Sequence, residues 1–232
     1  IISSCTGKWR APFPVADIVF QEANFENPTL GFVDAEGRNY AFVWTPAYLI
    51  KPWWSSDGRK IYSITSDASI NRGYLSLWEE GGRLKTCKEF WDTETIGGII
   101  ETQDSVMALI SVRDQILLVD LKRCKEQSTL VDVVNTGIFI LGVSLSPDQE
   151  RFAYGEEKYS YSEMPEYSII VQGMSEGEGV RMSDGINPTW SPDGRQIAYI
   201  QLDGIYVMNS DGLNSRLVSK WDVSSGDNDR SF

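Results

Sequence analysis

The residue types able to do chemistry are few. The 232-residue chain contains no histidine, which removes the commonest general base, the commonest metal ligand and the middle member of a Ser-His-Asp triad. What remains is hydrolysis by paired carboxylates, acid–base work by lysine or tyrosine, and cation binding by oxygen ligands. Cys5, Cys87 and Cys124 have no C-x-x-C spacing and no histidine with which to complete a zinc site. The acidic turns Asp193-Gly194 and Asp211-Gly212 lack the convergent oxygens at loop spacing that calcium needs, and a hairpin explains Asp-Gly without a metal. No metal and no cofactor are expected. Trp53-Trp54 suggests a sugar platform, yet Trp54 is in phase with Leu145 and Trp190, which points to packing between neighbouring repeat units. No Gly-x-Ser-x-Gly nucleophile elbow occurs.

Composition narrows the partners. With 33 acidic and 21 basic residues the formal charge is -12, so phosphate backbones and anionic membrane surfaces are repelled and no nucleic-acid partner is expected. At 41% hydrophobic residues the chain can bury the core of one all-β domain or of two smaller ones. No run of eighteen apolar residues is present, so no transmembrane helix is expected in this segment.

Repetition sets the architecture. "WSPDGR" from Trp190 matches "WSSDGR" from Trp54 at an offset of 136 residues, close to three periods of 45. "LSPD" from Leu145 is a further copy, and its "FAY" at 152–154 answers "IAY" at 197–199. The intervening copy should fall near residue 100, where "IIETQDSVMAL" (99–109) keeps the apolar pattern but has no glycine. A second phrase alternates with the first, beginning at Thr29, Gly73, Gln115, Tyr167 and Gly204. Strand–turn–strand content at a period near 45 residues is the signature of a propeller blade of four antiparallel strands. The fold expected is therefore an all-β propeller, most simply with five blades, near 9–50, 51–93, 94–136, 137–184 and 185–220; part of a six-bladed ring is the alternative. Residues 1–16 would be a lead-in, 17–220 the propeller and 221–232 a tail.

"PTWSPDGRQIAYIQ" followed by "GIYVMNSDG" resembles the TolB-type β-propeller repeat, which also occurs in the propeller domains of prolyl oligopeptidase-like peptidases. The match is specific over 52–62, 143–154 and 186–212 and rests on phase elsewhere. The resemblance implies a bacterial periplasmic or cell-surface setting and a protein partner, but the repeat motif transfers no partner-binding residue. Ile2-Ser3-Ser4-Cys5 is similar to the end of a bacterial lipoprotein signal, which makes Cys5 a candidate for acylation. In an oxidising envelope compartment Cys87 and Cys124 are then a candidate disulfide; two reduced, half-buried thiols are the alternative.

Four-stranded blades put the one-to-two and three-to-four turns on one face and the two-to-three and four-to-one connections on the other. The first set is short and repetitive, as blade building requires. The second varies, from Leu202-Asp203 to "GEEKYSYSEMPEYS" (155–168), and variable connections on a rigid scaffold are where binding concentrates. Tyr159, Tyr161 and Tyr167 in that excursion combine large amphipathic rings with neighbouring acids. Phe25, Asn71, Arg72 and Trp91, from the connections at 22–29, 66–73 and 88–96, complete the candidate rim.

Three functions fit. The leading one is a non-catalytic, exported, monomeric interaction module that binds a protein or peptide through the variable face. The second is the propeller domain of a larger peptidase whose catalytic part lies outside these residues. The third is a carbohydrate-binding or carbohydrate-active propeller, disfavoured because "LIKPWW", "TIGGII", "ILGVSLS" and "INPTWS", the inner-strand segments, contain no Asp or Glu.

Overall fold

A computed structural model describes residues 18–220, apart from 22–28, 35, 37, 39–40, 45–47, 56–59, 68–71, 80–82, 92, 103, 160–163 and 176. The chain divides into two compact units, Ile1–Asp132 and Val133–Phe232.

The first unit holds β1 (Ile18–Gln21), β2 (Thr29–Val33) and β3 (Ala41–Trp44) in a three-stranded antiparallel sheet. A four-stranded sheet follows, made of β4 (Tyr48–Trp54), β5 (Lys60–Asp67), β6 (Arg72–Glu79) and β7 (Arg83–Trp91). The next comprises β8 (Thr93–Glu101), β9 (Val106–Val112), β10 (Gln115–Asp120) and β11 (Lys125–Asp132). The second unit repeats the pattern with β12 (Ile138–Leu145), β13 (Arg151–Lys158), β14 (Glu166–Gly173) and β15 (Val180–Ser183), then β16 (Ile186–Trp190), β17 (Gln196–Gln201), β18 (Gly204–Asn209) and β19 (Arg216–Lys220). Each four-stranded sheet is an antiparallel meander in which sequence neighbours pair, as the repeat requires. The lead-in and the tail lie outside the described residues.

Cores form where sheets meet face to face. In the first unit Tyr62, Ile64 and Leu75 pack with Ile96, Ala108, Ile110, Leu117 and Val119. In the second, Ala153, Ile169 and Val171 meet Trp190, Ile197, Tyr199 and Met208. These are alternate residues of their strands, so one face of each strand meets the neighbouring sheet. Trp190 takes the packing place its phase predicts, whereas Trp53 is 41% exposed. The side chain of Trp54 is outside the described residues.

The repeated serine explains the repeated turn. In all three recognisable copies its N–H donates to the carbonyl five residues on: Ser55 to Lys60, Ser146 to Arg151 and Ser191 to Gln196, at 2.8–2.9 Å. Its Oγ accepts the N–H of that same residue, at 2.9–3.0 Å. Asp148 and Asp193 accept from Ser146 and Ser191 in turn, and from the N–H groups of Glu150 and Arg195. These hydrogen bonds hold both carboxyls below their ordinary range, the serine contributing most. The degenerate copy closes differently. Thr102 N–H donates to Ser105 O at 2.9 Å, while Ser105 N–H donates to Thr102 Oγ1 at 3.0 Å. The same exchange is thus made across three residues instead of five.

Two expectations change. The strands run further than the loops predicted from sequence: β13 continues to Lys158 and β14 begins at Glu166, with Glu157 opposite Tyr167. Ladder pairing absorbs Glu156, Glu157 and Lys158, leaving a connection of 159–165. The strand β8 likewise extends beyond "TIGGII" to include Glu94 and Glu101, and Glu101 accepts a hydrogen bond from the Tyr62 hydroxyl at 3.1 Å.

Cys87 on β7 and Cys124 after β10 are joined by a disulfide, with 5.0 Å between their Cα atoms. It ties the β4–β7 sheet to the β8–β11 sheet.

Candidate functional site

A close approach in the second unit fixes how its two sheets open. Gly155 on β13 lies under Leu141 of its own sheet and against Ile186 and Asn187 of the next; a Cβ there would come 2.5 Å from Leu141 O and 3.2 Å from Ile186 Cα. Only a residue without a side chain fits. Beyond this seat, towards the two-to-three and four-to-one connections, the sheets leave a cleft of about 730 Å³, within the range of small-ligand sites.

Three connections build it. Pro165 stands beside the first residues of β14, which contribute Glu166, Tyr167 and Ser168; the β15–β16 connection contributes Asp184 and Gly185, followed by Ile186 at the start of β16; the β17–β18 turn contributes Leu202 and Asp203. Gly185 has φ +139°, and a Cβ on it would stand 2.6 Å from the Tyr199 ring, so backbone conformation and packing both demand glycine. Tyr199 is itself fixed by hydroxyl contacts to Ser183 at 3.1 Å and Ser215 at 2.6 Å.

The polar groups of the cleft hold one another. Arg181 donates to Ser168 Oγ through Nε at 2.9 Å and pairs with the Asp184 carboxylate through its terminal nitrogen. Gln201 donates to the backbone carbonyl of Asp184 at 2.9 Å. Tyr206 donates to the Asp203 carboxylate, 3.0 and 3.2 Å from its two oxygens, and that bond raises the phenol's pKa above its ordinary value. Tyr167 donates to Glu157 at 3.1 Å; its phenol is also raised, first by partial burial and then by Glu157. Apolar surface lies alongside: Leu202 is 85% exposed, and Met164, next to the Pro165 wall, is 81% exposed.

Of the sequence candidates, Tyr167 lines this cleft. Tyr159 sits apart, its ring edge-on to Phe139 at 5.6 Å and 56% exposed. Arg72 and Trp91 are strand residues rather than loop residues and lie opposite each other in the β6–β7 ladder of the first unit. Phe25, Asn71, Tyr161 and Cys5 lie outside the described residues. The sequence reading missed Arg181, Asp184 and Asp203. A usable signal existed: Asp184-Gly185 and Asp203-Gly204 are two Asp-Gly steps that strand counting places on the same, variable face.

Among the described residues, no three Cys, Asp or Glu side chains converge as a metal ion would need. Among the same residues, no helix is long and apolar enough to cross a membrane.

No protein-family model matches the chain and no curated protein matches it in sequence. Solved structures do. The oligogalacturonate lyase of Vibrio parahaemolyticus aligns at 18% identity over 90% of this chain and 65% of its own, with a TM-score of 0.55. A protein assigned as TolB from Agrobacterium tumefaciens aligns at 18% identity over 80% of this chain and 67% of its own, TM-score 0.54. The β-propeller domain of the Trilobed protease from Pyrococcus furiosus aligns at 11% identity over 86% and 66%, TM-score 0.51. The chain thus spans about two thirds of the length of these three structures. The fold is a β-propeller.

Proposed function

We propose that this chain is a non-catalytic propeller module that binds a protein or peptide partner through the face carrying the two-to-three and four-to-one connections. The observation that carries this reading is the cleft itself, assembled from three connections on the face whose loops differ most from one repeat to the next. Arg181, Asp184, Asp203 and Tyr167 are each held by hydrogen bonds, an arrangement suited to holding a ligand by shape and charge. The likeness to the TolB-assigned structure and the TolB-type repeat supports a setting in the bacterial cell envelope. The likeness to the Trilobed protease propeller favours a second reading, in which the same face belongs to a peptidase whose catalytic domain lies elsewhere.

Selection of peptides from a displayed random library on the intact chain tests the reading. Leu202→Ser and Tyr167→Phe should each weaken the selected peptides, Leu202→Ser about tenfold, while a charge reversal at Asp211, on the opposite face, should leave them unchanged. Leu202 is exposed enough that its replacement costs the fold little. Peptides that respond to the Asp211 change and ignore Leu202 would overturn the assignment of the face.

A further inference from the structure

The charges and apolar surfaces of the cleft specify more than a face. Its lining holds three carboxylates, Glu166, Asp184 and Asp203, and one guanidinium, Arg181. Arg181 is bound to Asp184 and Ser168, so Glu166 and Asp203 set the sign that a ligand meets. Glu157, behind the Tyr167 hydroxyl, adds to it. The whole chain, at -12, steers in the same direction, since an anionic ligand is repelled on approach and a cationic one drawn in. Beside these carboxylates stand Pro165, Ile186, Ile200 and the exposed Leu202. An acidic group next to aliphatic surface is the complement of a lysine or arginine, whose methylene stem lies on apolar atoms while its head reaches a carboxylate.

From this we infer that the cleft takes a short extended peptide segment in which a lysine or arginine adjoins an aliphatic side chain. The inference rests on the peptide-binding reading above and adds its chemical class. The site is pre-formed for such a guest. Gly185 is seated on Tyr199, Asp203 is oriented by Tyr206, and Asp184 is held by Gln201, so little ordering is required of the protein on binding.

Fluorescence anisotropy with three labelled hexapeptides provides the test: Gly-Leu-Lys-Leu-Arg-Gly, the same sequence with glutamates for the basic residues, and the same with glutamines. The basic peptide should bind at least about tenfold tighter than the acidic one, and should weaken as salt rises. Glu166→Gln with Asp203→Asn should weaken the basic peptide about fivefold, as loss of one exposed and one half-buried charge contact implies, and leave the glutamine peptide unchanged. Equal affinity for basic and acidic peptides, or indifference to the double variant, would overturn the inference. If the glutamine peptide binds best and Leu202→Ser abolishes it, the charge assignment fails while the reading of the face stands; if no peptide responds to Leu202→Ser, both fail. Spermine displacing the basic peptide at equal concentration would show a site for small cations and overturn the peptide assignment.

Discussion

Replacing Gly155 by alanine should destabilise the second unit by about 3 kcal/mol, the upper end of the usual cost of adding one carbon to a packed interior. The added methyl would stand 2.5 Å from Leu141 O, 3.2 Å from Ile186 Cα and 3.4 Å from Asn187 N. Non-bonded heavy atoms attract at roughly 3.5 Å and beyond, so the methyl is caught between two obstacles. Both are backbone: the carbonyl of the neighbouring strand at the Leu141/Val143 bulge, and the first residues of β16 in the adjoining sheet. Neither can swing aside as a side-chain tip would. For a chain of this length about 3 kcal/mol corresponds to a fall in Tm of roughly 6–12 °C, readable by thermal unfolding followed by circular dichroism. The opposite expectation is well defined. If Gly155 merely leaves a strand under-filled, alanine restores propensity and should stabilise by about 0.5–1 kcal/mol, raising Tm. Gly177, where an added Cβ would meet nothing within 4 Å, is the control, and its alanine variant should move stability by no more than about 0.5 kcal/mol. A Gly155→Ala protein that melts at or above the wild-type temperature would refute the argument from close approach.

Two further outcomes follow from the turns and the bridge. Because Asp148 and Asp193 have carboxyls depressed below 3.8, they favour the folded state above that pH, and the contribution disappears as pH falls through their lower folded values. The double variant Asp148→Asn/Asp193→Asn should therefore be less stable than wild type at neutral pH and converge with it in acid; a gap that persists under strongly acidic denaturation would contradict this. The Cys87–Cys124 disulfide, spanning 37 residues, should stabilise by about 4 kcal/mol on the chain-entropy account. Thiol titration of the denatured, unlipidated protein should find one free thiol before reduction and three after it.

The repeat was legible in sequence because its turn uses side chains for specific hydrogen bonds. A serine whose N–H and Oγ both bond the residue five positions on leaves a recurring word. Where Thr102 and Ser105 make the equivalent closure over a shorter span, only phase remained to reveal it. Glycine at the left-handed position is legible at Gly194, yet Gln149 occupies the same place in the neighbouring copy with φ +61°, a position that its own turn hydrogen bonds enforce. The cleft was legible as a face but not as a set of residues. Tyr167 at the start of β14, Asp184 before β16 and Asp203 in the β17–β18 turn come from three separate places in the chain, and none is of a rare type. Glu156 and Glu157 look like loop residues in sequence, yet the ladder from Lys158 back to Arg151 pairs them as strand. Local polarity there was a poor guide because pairing is decided across the sheet, not along the chain.

The bridge between Cys87 and Cys124 has a mechanical corollary. A chain stretched by its ends cannot lengthen through the 37-residue stretch that the bond short-circuits, which withholds roughly 120 Å of contour at about 3.3 Å per residue. Under tension, two neighbouring sheets would share one tether, and reduction would release that hidden length in a single step visible to force spectroscopy.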